Sequence, residues 1–417
     1  MNTHSDVLII GGGVIGLTCA YYIAKTGRRV RIIEQDRIGT GASHGNCGLI
    51  FSSHIQPLCL PGTISTEFKR FFQGTSPLYI KLQPDFDRFL WLLKFARKCN
   101  RTDLTHALKV REGILHHSEI LYNSFFSEET LNADWEKKGV LLVYKSESEM
   151  EKYTQTNAYL QEYGLEATPY VGDALFKLEP ALRGDVYGGW YHSTDTHLRP
   201  DKYLGELKTI LIQKDVAIEE NCSLTHFSCH ERQITGAVVP KAIYTADHYV
   251  LATGAWTPEI VRPLKLKLPM QPGKGYSMTM GRPALCPQIP CYLSEKSVVA
   301  TPWKSGYRLG GTMEFSGFNF EIVRKRIQHL KETAREYLKD PLGDPVYEEW
   351  VGLRPMIYDD LPVIGWAPAQ NNLMLATGHG TIGFSTAPST GKLVAEMITG
   401  SDTHIDPAPF RIERFYQ

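Results

Sequence analysis

The sequence predicts an α/β fold carrying a second, α+β unit, and three observations support this. The chain opens with an apolar run, Val7–Ile10, a helical pattern from Leu17 to Lys25 ending at Gly27, and a second apolar run, Val30–Ile33. Together they make a βαβ unit with buried parallel strands. Strand-then-glycine signals return later, at Tyr249–Ala252 before Thr253-Gly254 and at Leu373–Thr377 before Gly378. Between them Tyr276–Met280, Ser297–Thr301 and Tyr307–Gly310 read as strands of another sheet, the last two joined as a hairpin at Ser305-Gly306. The prediction is a Rossmann-type domain assembled from residues 1–55, 195–265 and 345–417, with a mixed β-sheet plus helices, 56–194 and 266–344, inserted between its pieces.

The remaining elements follow in order. Residues from about Ser52 to Arg111 are rich in aromatic and basic side chains and read as loops and helices. Gly139–Tyr144 reads as a strand and Glu147–Tyr163 as a charged helix. Lys202–Lys214 has helical spacing, and Val216–Ile218 begins a short strand. Phe320–Leu338 is a long amphipathic pattern, and a last helix runs from Gly383 to about Thr399.

The 417 residues carry 45 Lys and Arg against 45 Asp and Glu, and 42% are hydrophobic, a globular composition with room for about two domains. Zero formal net charge lacks the basic excess of a nucleic-acid binder, so no nucleic-acid partner is expected. Cysteines at 19, 47, 59, 99, 222, 229, 286 and 291 form no C-x-x-C pair, which argues against zinc or iron–sulfur centres. Scattered thiols fit a reducing compartment. The first residues show no basic, apolar and cleavable leader pattern, and no run reaches the roughly 18–20 apolar residues that span a bilayer. A cytoplasmic location is expected.

Gly11-Gly12-Gly13-Val14-Ile15-Gly16 contains G-x-G-x-x-G between a strand and a helix. Gly11 allows the tight turn, Gly13 lets backbone approach a pyrophosphate, and Gly16 permits close helix–strand packing, with Val14 and Ile15 in the same phosphate loop. The helix N-terminus adds N–H groups and a positive dipole end. Glu34 ends the next strand, where a carboxylate accepts both ribose hydroxyls of an adenosine, with Gln35 beside it. Dinucleotide binding follows. The small, polar stretch Gly39–Gly48 can lie extended along a long cofactor, offering Ser43 and Asn46, with His44, Gly48 and Leu49 in the same contact. A strand ending in Ala252-Thr253-Gly254 lets backbone pass where a side chain would clash, and Trp256 and Leu224 are grouped with it. Gly378-His379-Gly380-Thr381-Ile382-Gly383 opens a helix whose N–H groups can stabilise negative charge on a reduced flavin. These three stretches favour flavin over nicotinamide.

With these stretches in place, the chain resembles the flavin-dependent amine and amino-acid oxidoreductases of the D-amino-acid oxidase and glycine oxidase superfamily, and within it the bacterial D-amino-acid dehydrogenases. The resemblance also rests on Lys274-Gly275-Tyr276-Ser277, Arg308–Glu314, Gly317-Phe318-Asn319, and Trp350–Met356 through Pro362–Gly365, and it covers essentially the whole chain. Ser52-Ser53-His54-Ile55-Gln56-Pro57 departs from the dehydrogenase pattern at a loop expected to touch substrate. The resemblance implies an FAD-binding domain (1–55, 195–265, 345–417) and a substrate domain (56–194, 266–344). It implies oxidative deamination of a D-amino or imino acid by hydride transfer from Cα to flavin N5, leaving an imine for water to hydrolyse. Electrons then pass to a quinone or an electron-transfer protein.

The same resemblance makes Arg354 the anchor of the substrate carboxylate, a task for which a guanidinium fork suits better than lysine. Pro355 biases Arg354 towards extended backbone. Tyr276 is a second catalytic candidate able to hydrogen-bond the carboxylate, and His379 can donate to flavin or substrate. Met313 and His54 complete the substrate set, Met313 with plain core packing as its alternative. Covalent-flavin relatives carry a cysteine near the position of Met356, and no cysteine follows Cys291, so non-covalent FAD is expected. An O2-using glycine or sarcosine oxidase and a non-catalytic flavin-binding partner subunit remain the alternatives. Phe86–Lys98, with neighbouring Phe68–Phe72, reads either as an ordinary packed helix or as an interfacial one that meets the inner membrane peripherally and admits a quinone.

Overall fold

The computed structural model describes residues 3–64, 78–80 and 85–416, so Phe68–Phe72 lies outside the described residues. The chain is an α/β protein built on two sheets. In the first, strand His4–Ile10 lies between Val30–Ile33 and the long Ala242–Leu251, all parallel. Ala217–Glu219 extends the sheet beyond Val30–Ile33, and Leu373–Thr377 beyond Ala242–Leu251, again in parallel. Val7, Leu8 and Ile9 are fully buried in succession, as a strand covered on both faces must be. Helices Val14–Ala24 and Gly383–Thr399 lie together over one face, so closely that a Cβ on Gly391 would sit 2.6 Å from the Thr18 carbonyl oxygen.

Helix Arg101–Glu128 packs against that layer, where Tyr122 Oη donates to the Phe384 carbonyl at 2.7 Å. The sequence pattern alone reads no helix between Arg111 and Gly139. The buried stripe runs Leu104, Leu108, Arg111, Leu115, Ser118, Tyr122 and Phe125 at helical spacing, but Arg111 and Ser118 are polar. A search for apolar periodicity therefore breaks there.

The second sheet runs, in spatial order, Val346–Ile357, Met270–Met280, Gly306–Phe315, Val298–Trp303, Cys291–Leu293, Val140–Tyr144, Gly188–His192 and Thr168–Val171. The expected hairpin is present, Val298–Trp303 returning as Gly306–Phe315. Strand Val346–Ile357 departs from the expected division of the chain. The sequence groups residues 345–417 with the nucleotide-binding unit, yet this strand pairs along its length with Met270–Met280. Helix Arg324–Tyr337 covers the sheet through Ile327, Leu330, Ala334 and Tyr337. It starts four residues later than Phe320, which instead stacks its ring on Trp256 at 6.1 Å. Among the described residues no helix is long and apolar enough to cross a membrane.

Gly391→Ala should cost about 1–3 kcal/mol in urea denaturation, because the backbone carbonyl it meets cannot yield cheaply and the strain outweighs alanine's better helix propensity.

Candidate active site

The turn after strand His4–Ile10 takes the backbone where only glycine fits. Gly11 has φ +107°, and a Cβ there would lie 2.5 Å from the Ala252 carbonyl oxygen. A Cβ on Gly16 would lie 1.9 Å from the Gly11 carbonyl oxygen, so its role is close packing. Gly13 is the N-cap of the helix and brings no side-chain cap, which leaves first-turn N–H groups for another acceptor. Val14 N–H is met by Ser43 Oγ at 3.0 Å. Glu34 accepts from Gly12 N–H at 2.7 Å and from Asp36 N–H at 3.1 Å. Its two oxygens offer about four acceptor sites, so capacity remains.

These groups open onto a cavity of about 1870 Å3. Ligand pockets typically run to roughly 1,000 Å3, so this one has room for a dinucleotide and a further small molecule. Of the expected cofactor contacts, Gly11, Gly13, Val14, Ile15, Glu34, Gln35, Ser43, Asn46, Leu49, Leu224, Thr253, Gly254, Trp256, His379, Gly380, Thr381, Ile382 and Gly383 line it. Thr381 Oγ1 is buried without a protein partner, and helix Gly383–Thr399 likewise begins without a side-chain cap.

Four expected contacts stand elsewhere. Gly16 packs within the turn. His44 is turned away, its Nε2 2.9 Å from both carboxylate oxygens of Glu348, whose pKa that bond lowers. Gly48 is closed off by the Leu198 carbonyl oxygen, 1.9 Å from where a Cβ would be, and Gly378 likewise by Ile357 at 2.7 Å.

At the other end of the cavity, cross-strand pairing sets Arg354 opposite Gly273. The guanidinium lies over Gly275, where a Cβ would come within 2.2 Å of Nη1. Nη1 donates to the Thr312 carbonyl at 3.0 Å, and Met313 Sδ lies 4.0 Å away. Thr312 has φ +64° at a break in the pairing of Gly306–Phe315 with Met270–Met280, and this bulge brings the carbonyl onto the guanidinium. Among the described residues no carboxylate pairs with Arg354. Burial lowers its pKa, opposed only by the nearby Cys47 and Tyr292.

Met313 lines the cavity as expected. Tyr276 borders the cavity, but its hydroxyl is bonded to Glu314. Side chains alternate along a strand, so Tyr276 and Lys274 share the face opposite Gly273 and Gly275. The tyrosine is 1% exposed, and its hydroxyl donates to Glu314 Oε2 at 3.0 Å. Burial first, and that bond next, raise its pKa. His379 lines the cavity but shares a 3.0 Å hydrogen bond through Nε2 with Thr390 Oγ1, and burial lowers its pKa to about 3. It is neutral near pH 7 and bonded to the helix that follows it, so it offers no charged donor. His54 lines the cavity beside Phe51, and its pKa is lowered to about 3 by the surrounding protein first and by Arg111 and His192 next.

Cys47, Thr312, Trp91 and Phe95 also line the cavity, and the sequence pattern assigns none of them to the site. Trp91 and Phe95, one turn apart, are legible as an inward stripe of the helix Phe86–Lys98. Nothing local marks Thr312.

The family of FAD-dependent oxidoreductases named DAO matches residues 6–397. The chain belongs to this family. It is 28% identical over 416 residues to a D-amino acid dehydrogenase of Paramagnetospirillum magneticum, covering 98% of each chain. The fold is similar to that of a glycine oxidase from Geobacillus kaustophilus, with TM-score 0.78, 21% identity and 99% of each chain covered. It is similar also to an L-proline dehydrogenase from P. horikoshii, with TM-score 0.77 and 17% identity, covering 100% of this chain and 99% of the other. As an FAD-dependent oxidoreductase, the chain has a donor set that fits its cofactor: a glycine cradle, two uncapped helix starts, a carboxylate with free lone pairs and the orphaned Thr381 hydroxyl.

Ser53, on the cavity wall, is held by Asp195, whose fully buried carboxylate accepts from Ser53 N–H at 3.0 Å, Ser53 Oγ at 2.6 Å and Ser52 Oγ at 3.2 Å. Burial raises the Asp195 pKa from 3.8 to about 6 against those bonds. The folded state then holds more protons than the unfolded state between about pH 4 and 6, so this group's contribution to stability falls as pH rises through that window. Measured by urea denaturation, the stability of the wild type relative to Asp195→Asn should decline from about pH 4 to about pH 6 and level off above it.

Proposed function

We propose that this chain oxidises an α-amino acid, the D-enantiomer, to its imine and passes the electrons to an acceptor other than O2. The observation that carries the reading is Arg354, a partly buried guanidinium facing a large cavity with a carbonyl for a partner and no carboxylate among the described residues. Such a group calls for an anion, and a guanidinium binds a carboxylate through two parallel hydrogen bonds. The D-amino acid dehydrogenase named at 28% identity over nearly the whole chain supports the choice of substrate.

Within this reading FAD is held without a covalent bond. Glu34 would take the ribose hydroxyls, the N–H groups after Gly13 the pyrophosphate, and residues 380–383 would lie against the flavin. The cofactor would supply the two-electron oxidising chemistry that removes hydride from the substrate Cα. The chain's own task is placement. Arg354 grips the carboxylate, and Met313, Met356, Trp91 and Phe315 form an apolar wall that limits water and strengthens the ion pair. No buried acid or charged histidine is needed once the amine is neutral. The imine is released to water and gives a 2-oxo acid and ammonia.

A second observation favours an apolar acceptor. Helix Phe86–Lys98 turns Trp91, Leu92 and Phe95 to the cavity while Phe86 is 72% exposed and Phe89 56%. Lys94, Arg97 and Lys98 border that exposed face, as on a helix that rests on an anionic membrane surface and admits a quinone.

Anaerobic mixing with a panel of D- and L-amino acids, prolines included, should bleach the flavin with D-substrates, and a quinone should restore the colour. Rapid peroxide formation in air, or no bleaching by any amino acid, would overturn the proposal. Arg354→Ala and Arg354→Lys should retain FAD yet lose kcat/KM on the order of 10²- to 10³-fold.

A further inference from the structure

A second buried arginine serves the cavity without facing it. Arg111, on the buried stripe of helix Arg101–Glu128, is fully enclosed. Its Nε donates to the Ile55 carbonyl at 2.9 Å and Nη2 to the His54 carbonyl at 3.1 Å. Its Nη1 donates to both the carbonyl and Oδ2 of Asp360, each at 2.9 Å. Asp360 Oδ2 also accepts from Leu58 N–H at 2.9 Å. Asp360 holds φ +55°, a backbone region natural to glycine, so a side chain stands there at some strain. That strain is offset by the two interactions its carboxylate makes. The other carboxylate oxygen faces Gly380, 3.1 Å from where a Cβ on that glycine would lie.

The loop thus held is Ser53–Leu58. Asp195 grips its first residue, and the Arg111–Asp360 pair grips its middle and end. Between those anchors Ser53, His54, Gln56 and Leu58 line the cavity. A backbone tied at both ends by buried charges keeps its side chains at set depths in the cavity, which a free loop would not.

We propose that the clamped loop Ser53–Leu58 is the substrate-selecting wall of the cavity and that Arg111, acting on the loop carbonyls directly and on Leu58 through Asp360, is the positioning residue that sets it. This rests on reading the cavity as a carboxylate-substrate site. The wall presents a neutral imidazole, an amide and a leucine, so it selects uncharged side chains over acidic and basic ones.

The test is the double variant Arg111→Met/Asp360→Gly in the FAD-loaded protein. It removes both charges together and leaves glycine in a backbone conformation suited to it, so no buried charge is left unpaired. Benzoate, followed by its perturbation of the visible flavin spectrum, reports the site independently of turnover. The Kd for benzoate and the KM for the best amino acid should each rise about tenfold, the scale of one or two lost positioning hydrogen bonds, with kcat within about threefold. Preference for uncharged over charged side chains should flatten, and FAD affinity should stay within about twofold. Unchanged benzoate affinity and unchanged side-chain ranking, with faster amide exchange at Ile55 and Leu58, would overturn the proposal. Arg111→Lys, which keeps a charge opposite Asp360 but cannot span the Ile55 and His54 carbonyls as the fork does, decides by the same readouts if the double variant does not fold, and failure of both to fold with FAD assigns the clamp to stability alone and overturns it. A wild-type spectrum indifferent to benzoate overturns it too. If no amino acid bleaches the flavin while benzoate still binds, the proposed function fails and the benzoate comparison still decides the loop's role.

Discussion

Enclosing a guanidinium costs several kcal/mol of lost hydration, which hydrogen-bond acceptors and countercharges must offset. Arg354 is the group that imposes this constraint here. Its placement requires three separate features. Gly275 leaves open the space that the guanidinium occupies, since a Cβ there would collide with it. A bulge at Thr312 turns a carbonyl towards Nη1. Residues 346–357 must join the second sheet rather than the first for Arg354 to meet either.

Two further arginines show what a satisfied buried cation looks like. Arg308 is 1% exposed and donates to the carbonyls of His44 and Asn46 at 2.9 and 2.6 Å, with Nε on Thr279 Oγ1 and Nη2 3.9 Å from Asp201 Oδ1. Arg111 spends its donors on three carbonyls and a carboxylate. Both tie loops that border the cavity, one along residues 44–46 and one along residues 54–58. Planar forks with several donors suit this task, since a single side chain can satisfy carbonyls that no strand partner reaches. Arg354 has the same chemistry and one carbonyl. The contrast separates scaffold from site.

Much of the nucleotide end was legible because its signals are local. Gly11, Gly13 and Gly16 sit within six residues, and Gly11 and Gly16 are explained by contacts in or beside their own turn. Glu34 was legible for the same reason, as the residue that follows the next strand. The substrate end was less so, because its geometry depends on pairing between distant strands. Tyr276 directly follows Gly275, over which the guanidinium lies, yet whether it shares a face with Arg354 depends on register, which no local pattern states. His44 lies in the correct loop, but its partner Glu348 is 304 residues away. Arg111 was hidden for the opposite reason: a charged residue on a helix suggests solvent, and here it belongs to a buried stripe.

Register also explains why the substrate end tolerates so little change. Strands Met270–Met280 and Val346–Ile357 build two different environments on their two faces. One carries Gly273, Gly275 and Arg354 towards the cavity. The other carries Lys274 and Tyr276 onto Glu314 and into a core that contains Leu330 and Met278. Moving strand Val346–Ile357 by one residue would exchange its faces and send the guanidinium into the hydrocarbon core. The Tyr276–Glu314 bond opposes that slip, since it joins Met270–Met280 to Gly306–Phe315 across the bulge itself. Tyr276 thus acts on the site from behind, by holding the pairing that presents Arg354.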